Sequence, residues 1–214
     1  AVMSGNFTQR GDISIVDKWS KAQMAIENGI DLVIELPTVY AISSAENFAS
    51  GAIKILDSLG IVDFIAFGSE CSDISILQQV TDVLASEPPE YKTLLSHELD
   101  KGVSFPKARE RALMMYLNDV RRFANVLSSS NNILGIEYLK ALKRQKSIIQ
   151  PITIKREGNN YNDNTIPTDS QFASATAIRK LCASHNSDIL QRFMPEASYK
   201  ILNDAMENGN IVKD

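Results

Sequence analysis

The sequence holds 214 residues, enough for one large domain or for one domain with a small appendage. Hydrophobic residues make up 44% and the formal net charge is −4, so a core can form and a generally basic, nucleic-acid-coating surface is excluded. Two cysteines, Cys71 and Cys182, give neither a disulfide framework nor zinc spacing, which fits a reducing cytoplasm, and no apolar run approaches the roughly 20 residues of a membrane span.

Ala1-Val2-Met3 runs straight into the turn-like Ser4-Gly5-Asn6 and reads as the tail of a buried strand, with further sequence expected upstream. Residues 17–28 read as a helix stopped by Gly29. The run at 30–36 (IDLVIEL), closed by Pro37, has the apolar character of a buried parallel strand. Ser43 and Glu46 have capping-box spacing for a helix that runs to Leu59. Residues 63–67 (DFIAF) form the next strand, broken by Gly68. Helices are then predicted over 72–86, 90–101, 106–117 and 120–127, with no strand between them: an all-helical insertion or flank. Asn131-Asn132 begins a loop, a helix covers about 136–144, and residues 148–155 (IIQPITIK) read as a strand whose Pro151 implies an edge or a bulge. A polar loop over 157–170, a short helix over 175–183 introduced by Ser174, and an amphipathic helix over about 197–208 complete the chain.

Alternation of short apolar strands with amphipathic helices marks an α/β fold built from parallel βαβ units. Ligands of such sheets bind beyond the carboxyl ends of the strands, which singles out four segments. Residues 4–11 (SGNFTQRG) combine small residues with Arg10 and suit a phosphate, or form an ordinary βα loop. Gly68, in FGSE, would let a base or ribose lie against bare backbone, or serves a tight turn. Asn131 and Asn132 offer donors and acceptors for an adenine edge or ribose, and equally suit a turn or cap. Ser174 and Thr176 stand at a helix start, with Arg179 one turn on: a phosphate clamp, or a capped surface helix. The cluster Lys140, Lys143, Arg144 and Lys146 is a solvated last helical turn or, less simply, an RNA contact. His97 and His185 lie in polar contexts with no nucleophile beside them, and the carboxylates form no metal-type cluster.

Residues 5–38 (GNFTQRGDISIVDKWSKAQMAIENGIDLVIELPT), with SAENFASGAIKIL, FGSE, SNNILGIEYL and SATAIRK, are similar to the bacterial tRNA(Met) cytidine acetate ligases. SATAIR also resembles the Ser/Thr-rich signature of HxGH-type nucleotidyltransferases, and the likeness extends from Ala1 past Arg179. It implies a Rossmann-like parallel sheet of the nucleotidyltransferase type over residues 1–185, with a helical insertion at about 72–127 and a helical C-terminal region from 186. It implies ATP with Mg²⁺, activation of acetate to acetyl-adenylate, and transfer of acetyl to N4 of the wobble cytidine of elongator tRNA(Met). Carried onto this sequence, the ATP-binding residues are Gly68, Asn131, Arg156, Ser174, Thr176 and Arg179. The family's His-x-Gly-His motif, which supplies its catalytic histidines, is expected upstream of Ala1, so no catalytic residue is assigned within the 214 residues. Another adenylyltransferase of cofactor metabolism, and a non-catalytic nucleotide- or RNA-binding module, are the competing readings.

Overall fold

In the computed structural model, residues 1–156, 173–183 and 187–212 are described. His185 and the whole polar loop at 157–170 lie outside them. The chain divides into two compact units, one of residues 1–44 and 157–214, the other of residues 45–156.

In the first unit, β1 (Val2–Ser4) pairs in parallel with β2 (Ile34–Leu36), Val2 opposite Ile34 and Ser4 opposite Leu36. The predicted strand at 30–36 is thus shorter than expected: ladder pairing covers only Ile34–Leu36, although Leu32 O accepts from the Ala1 amine, and Ile30 and Leu32 are exposed. Between the strands runs α1 (Lys18–Glu27), which starts where Asp17 accepts from the amides of Trp19 (2.7 Å) and Ser20 (3.0 Å). It ends at Asn28, followed by Gly29 at φ +96°. The short α2 (Thr38–Ala41) follows. Later in the chain come α9 (Ala175–Ala183), α10 (Ser187–Leu190) and α11 (Glu196–Glu207). Val16, Leu181, Cys182, Leu190, Leu202 and Ala205 form the core of this unit. Asn28 ties α1 to α11 by a 2.9 Å bond from Nδ2 to Ser198 Oγ.

The second unit holds α3 (Ala45–Ser58), β3 (Phe64–Ser69), α4 (Ile74–Ser86), α5 (Pro89–Asp100), α6 (Phe105–Tyr116), α7 (Val120–Phe123), α8 (Ser130–Gln145) and β4 (Gln150–Lys155). No strand interrupts α4 to α7, as the sequence predicted for this helical stretch. Strands β3 and β4 pair in parallel over six residues each. Pro151 fits because the amides of Gln150 and Arg156 point at β3, donating to Asp63 and Ser69; by alternation the Pro151 nitrogen faces the other edge.

Four local predictions fail here, each for a tertiary or steric reason. Gly68 does not break the strand; it lies inside β3 opposite Ile154. Asn131 and Asn132 do not begin a loop but form the first turn of α8, capped from a distant part of the chain. Glu46 does not close a capping box with Ser43, because α3 starts at Ala45 and the Glu46 carboxylate turns to Arg144 of α8. Finally, α7 stops at Phe123, with Asn125 left-handed at φ +61°, instead of reaching residue 127.

Helix α8 packs against β3 through Gly135, where a Cβ would stand 2.6 Å from Cε2 of Phe67. The Phe67 ring in turn meets Tyr138, with centroids 5.6 Å apart. Alanine at 135 would gain about 1 kcal/mol of helix propensity. Forcing a methyl into a closed contact costs about 1–3 kcal/mol. Gly135→Ala is therefore expected to be less stable by a net of about 0–2 kcal/mol, read as a lower urea midpoint with an unchanged slope.

The Asp17 cap gives a pH-dependent prediction. The Ser20 amide, followed by that of Trp19 and the Ser20 hydroxyl, holds the Asp17 carboxyl below its usual range. A depressed carboxylate stabilises the fold above its unfolded pKa of about 3.9 and stops doing so as pH falls through the lower folded value. Asp17→Ala should cost about 1 kcal/mol at pH 7. That difference should shrink below pH 4, as measured by urea unfolding at pH 7 and pH 3.

Candidate nucleotide-binding site

At the carboxyl end of the β3–β4 pair, three predicted residues come to one rim. Gly68 is the penultimate residue of β3, and Arg156 follows β4, its amide donating to Ser69 O at 3.0 Å. A Cβ on Gly68 would stand 3.4 Å from Cγ of Arg156, so the arginine stem lies beside bare backbone. The Arg156 side chain is exposed. A flat aglycone or ribose could rest on the glycine with a guanidinium alongside.

Asn131 joins this rim through Glu70, just beyond β3. Its Nδ2 donates to Glu70 Oε1 at 2.7 Å, and the Asn132 amide donates to Oε2 at 3.1 Å. The Glu70 carboxylate thus sits on the open amides of α8, where negative charge is favoured. Asn132 is buried and returns the contact, accepting from the Cys71 amide at 2.9 Å. Ser69 is buried as well; its hydroxyl lies 2.6 Å from Thr153 Oγ1 and accepts from the Ser72 amide at 3.0 Å. The turn after β3 is therefore held from both β4 and α8. Asn131 spends a donor on Glu70, which leaves its Oδ1 as the acceptor it can offer a ligand. Glu70, Asn132 and Ser69 were missed as positioning residues, since no local pattern marks a cap that acts from 60 residues away.

Ser174, Thr176 and Arg179 belong to the first unit, at the start of α9. Ser174 is buried and caps the helix, its Oγ accepting from the Ala177 amide at 3.0 Å. That hydroxyl therefore serves the helix first. Arg179 is half-buried and lines a cavity of about 370 Å³ with Ser4, Thr8, Ser14 and Lys21. The Lys21 ammonium donates to Ser4 O (2.8 Å), Gly5 O (2.9 Å) and Ser14 Oγ (3.2 Å). Burial, and then the positive charge of Arg179, hold this ammonium below the usual lysine range, against an upward pull from Glu35. Sequence reasoning overlooked Lys21. The available signal was a cation on the same α1 stripe as Met24 and Asn28, which face the core and α11.

The basic cluster at the end of α8 is largely paired with carboxylates of the same unit. Lys140 is buried with its Nζ 3.0 Å from Glu137 Oε1, Lys143 reaches Asp82 at 2.8 Å, and Arg144 pairs with Glu46. Lys146 is the left-handed C-cap of α8. Three of these four cations are paired inside the unit, yet Lys143, Arg144 and Lys146 stay exposed at the end of α8, as expected of a solvated last helical turn; only Lys140 departs from that reading. Arg10 is exposed on the loop after β1, and His97 is exposed on α5. Among the described residues, no group of three or more His, Cys, Asp or Glu side chains could hold a metal ion.

Gly68 and Arg156 at the carboxyl ends of two parallel strands, with Asn131 beside them at the start of α8, occupy the place where α/β proteins bind their ligands. The HIGH Nucleotidyl Transferase family profile matches residues 1–214, and the chain belongs to that family. Among its relatives, the tRNA(Met) cytidine acetate ligase of Caldanaerobacter subterraneus subsp. tengcongensis is 52% identical over 98% of this chain and 51% of its own length. That of Clostridium novyi is 49% identical over 99% of this chain and 52% of its own. The crystal structure of apo Thermotoga maritima TmcAL aligns with a TM-score of 0.92 at 40% identity, covering 99% of this chain and 50% of that one. The same protein bound with alpha-thio ATP aligns at 0.86, covering 99% and 49%. The chain thus spans about half the length of the relatives it matches, and their name is the one the sequence resemblance led to.

Removing the anion from the α8 start tests how the rim is held. Glu70→Ala should lower stability by about 1–2 kcal/mol, the worth of a lost helix cap and a charge-assisted hydrogen bond. A urea denaturation curve indistinguishable from wild type would show that the clamp contributes nothing.

Proposed function

We propose that this chain carries the ATP-binding part of a tRNA(Met) cytidine acetate ligase. The enzyme would activate acetate with ATP to acetyl-adenylate, then pass the acetyl group to N4 of the wobble cytidine of elongator tRNA(Met). The observation that carries this reading is that relatives so named match almost the whole chain at about half identity. A solved relative holding alpha-thio ATP supports the nucleotide. A tRNA substrate places the work in the cytoplasm. Among the described residues no helix is long and apolar enough to cross a membrane.

In this reading Gly68, Asn131 and Arg156 bind ATP at the β3–β4 rim. Gly68 offers flat backbone, Asn131 an acceptor, and Arg156 a planar cation. Ser174, Thr176 and Arg179 bind phosphate oxygens at the start of α9, where helix amides and a guanidinium favour negative charge. A carboxylate oxygen of acetate attacks the α-phosphorus and pyrophosphate leaves with the bond's electrons. The cytidine amine then attacks the acyl carbon, AMP leaves, and the amine loses a proton. The protein's task is to position these groups and neutralise the charge that builds on phosphate. Mg²⁺ would arrive on the nucleotide, bound by phosphate oxygens and water; among the described residues no group of three or more His, Cys, Asp or Glu side chains could hold it.

The test is pyrophosphate release in a polypeptide that includes the His-x-Gly-His segment. Arg179→Ala should lower ATP- and acetate-dependent release by about 100-fold, the scale of losing one donor to a developing charge, with the thermal unfolding midpoint retained. Near-normal release would remove Arg179 from the clamp.

A further inference from the structure

We infer that the cavity lined by Lys21 and Arg179 binds a small monocarboxylate, its carboxylate held by the two cations and its alkyl end by the apolar wall. The inference rests on the acyl-activating function proposed above and assigns a place to the acyl substrate.

The cavity, about 370 Å³, is two-faced. Ser4, Thr8, Ser14, Lys21 and Arg179 line one part of it, and Met24, Ile178 and Leu202 another. All three hydrogen bonds of the Lys21 ammonium go to neutral oxygens. The nearby carboxylate of Glu35 is committed to Lys18, at 2.7 Å. Among the described residues no carboxylate lies within ion-pair distance of Lys21 or Arg179. Two like charges therefore face one partly desolvated space, a state that an anion relieves. Thr8 adds a buried hydroxyl without a hydrogen-bond partner among the described residues. Such a donor is satisfied when an acceptor enters.

The apolar wall decides which anion. A polyphosphate is hydrated on every side and loses by meeting Met24, Ile178 and Leu202, whereas a short alkanoate presents one charged and one hydrocarbon end. Lys21 has its donors engaged, so it acts by charge, and Arg179 supplies the fork that pairs with both carboxylate oxygens. Arg179 also borders the α9 start assigned to phosphate. It is the side chain the two anions would share, and attack of a carboxylate oxygen on phosphorus needs them adjacent. The volume exceeds what acetate fills, so the cavity by itself admits propionate and butyrate.

The experiment follows the lysine ε-carbon resonances by NMR in the wild-type polypeptide that includes the His-x-Gly-His segment, with Lys21 assigned from its loss in Lys21→Arg. Sodium acetate, butyrate, inorganic phosphate and ATP are added separately at constant ionic strength. Saturable movement of the Lys21 signal with acetate and butyrate, and a rise in its pKa at saturation, is expected. Lys21→Met should weaken carboxylate binding at least tenfold while ATP affinity stays within twofold. Ile178→Phe, which narrows the apolar end, should weaken butyrate more than acetate. If phosphate moves the Lys21 signal and the carboxylates do not, or if no carboxylate moves it, the assignment is overturned. If ATP fails to bind while the carboxylates still shift Lys21, the acyl-activating function falls and the carboxylate cavity stands.

Discussion

The Glu70 carboxylate meets the first turn of α8 just beyond the end of β3, and the rim of the second unit depends on that meeting. A helix start leaves amides without partners, and a strand end leaves a turn without a template. Here each solves the other's problem. Asn131 and Asn132 bind Glu70, and Asn132 in turn accepts from Cys71. The Ser69–Thr153 contact extends the same network to β4, whose next residues carry Arg156 to the rim. The Gly68 and Arg156 backbone and the Asn131 side chain are thus held in place before any ligand arrives, which lowers the ordering cost of binding there.

The first unit reaches the same end by the opposite charge. Its loop after β1 is gathered around a cation, the Lys21 ammonium, which takes the carbonyls of Ser4 and Gly5 and the hydroxyl of Ser14. In the second unit the half-buried Glu70 carboxylate is spent on the protein itself. In the first, the charges of Lys21 and Arg179 are left facing a cavity. An anion held by helix amides is structural, whereas a cation bonded only to neutral oxygens, as Lys21 is, keeps its charge available to a ligand.

Much of this was legible from local pattern. The helices α1, α9 and α11 fall within a residue or so of their predicted limits because Asp17, Ser174 and the glycines at 29 and 209 are caps or stops that act within a turn of themselves. The long helical stretch from 74 to 123 was visible because nothing in it alternates with period two. Less legible were Asn131 and Asn132, whose turn-forming preference was overruled by Glu70, and Glu46, drawn from a cap to Arg144. Gly135 was noticed only as part of a motif; its function is to admit the Phe67 ring.

The sequence by itself determined the α/β class and marked Gly68, Asn131, Ser174, Thr176 and Arg179 as candidates, because apolar periodicity and short motifs are properties of neighbouring residues; Arg156 was added by the family resemblance. Only the tertiary structure decided that the basic cluster on α8 is neutralised by Glu137, Asp82 and Glu46, and that Lys21 shares a cavity with Arg179. Charge compensation depends on distance in space, and residues separated by 61, 98 or 158 positions come within reach of each other only when the chain has folded.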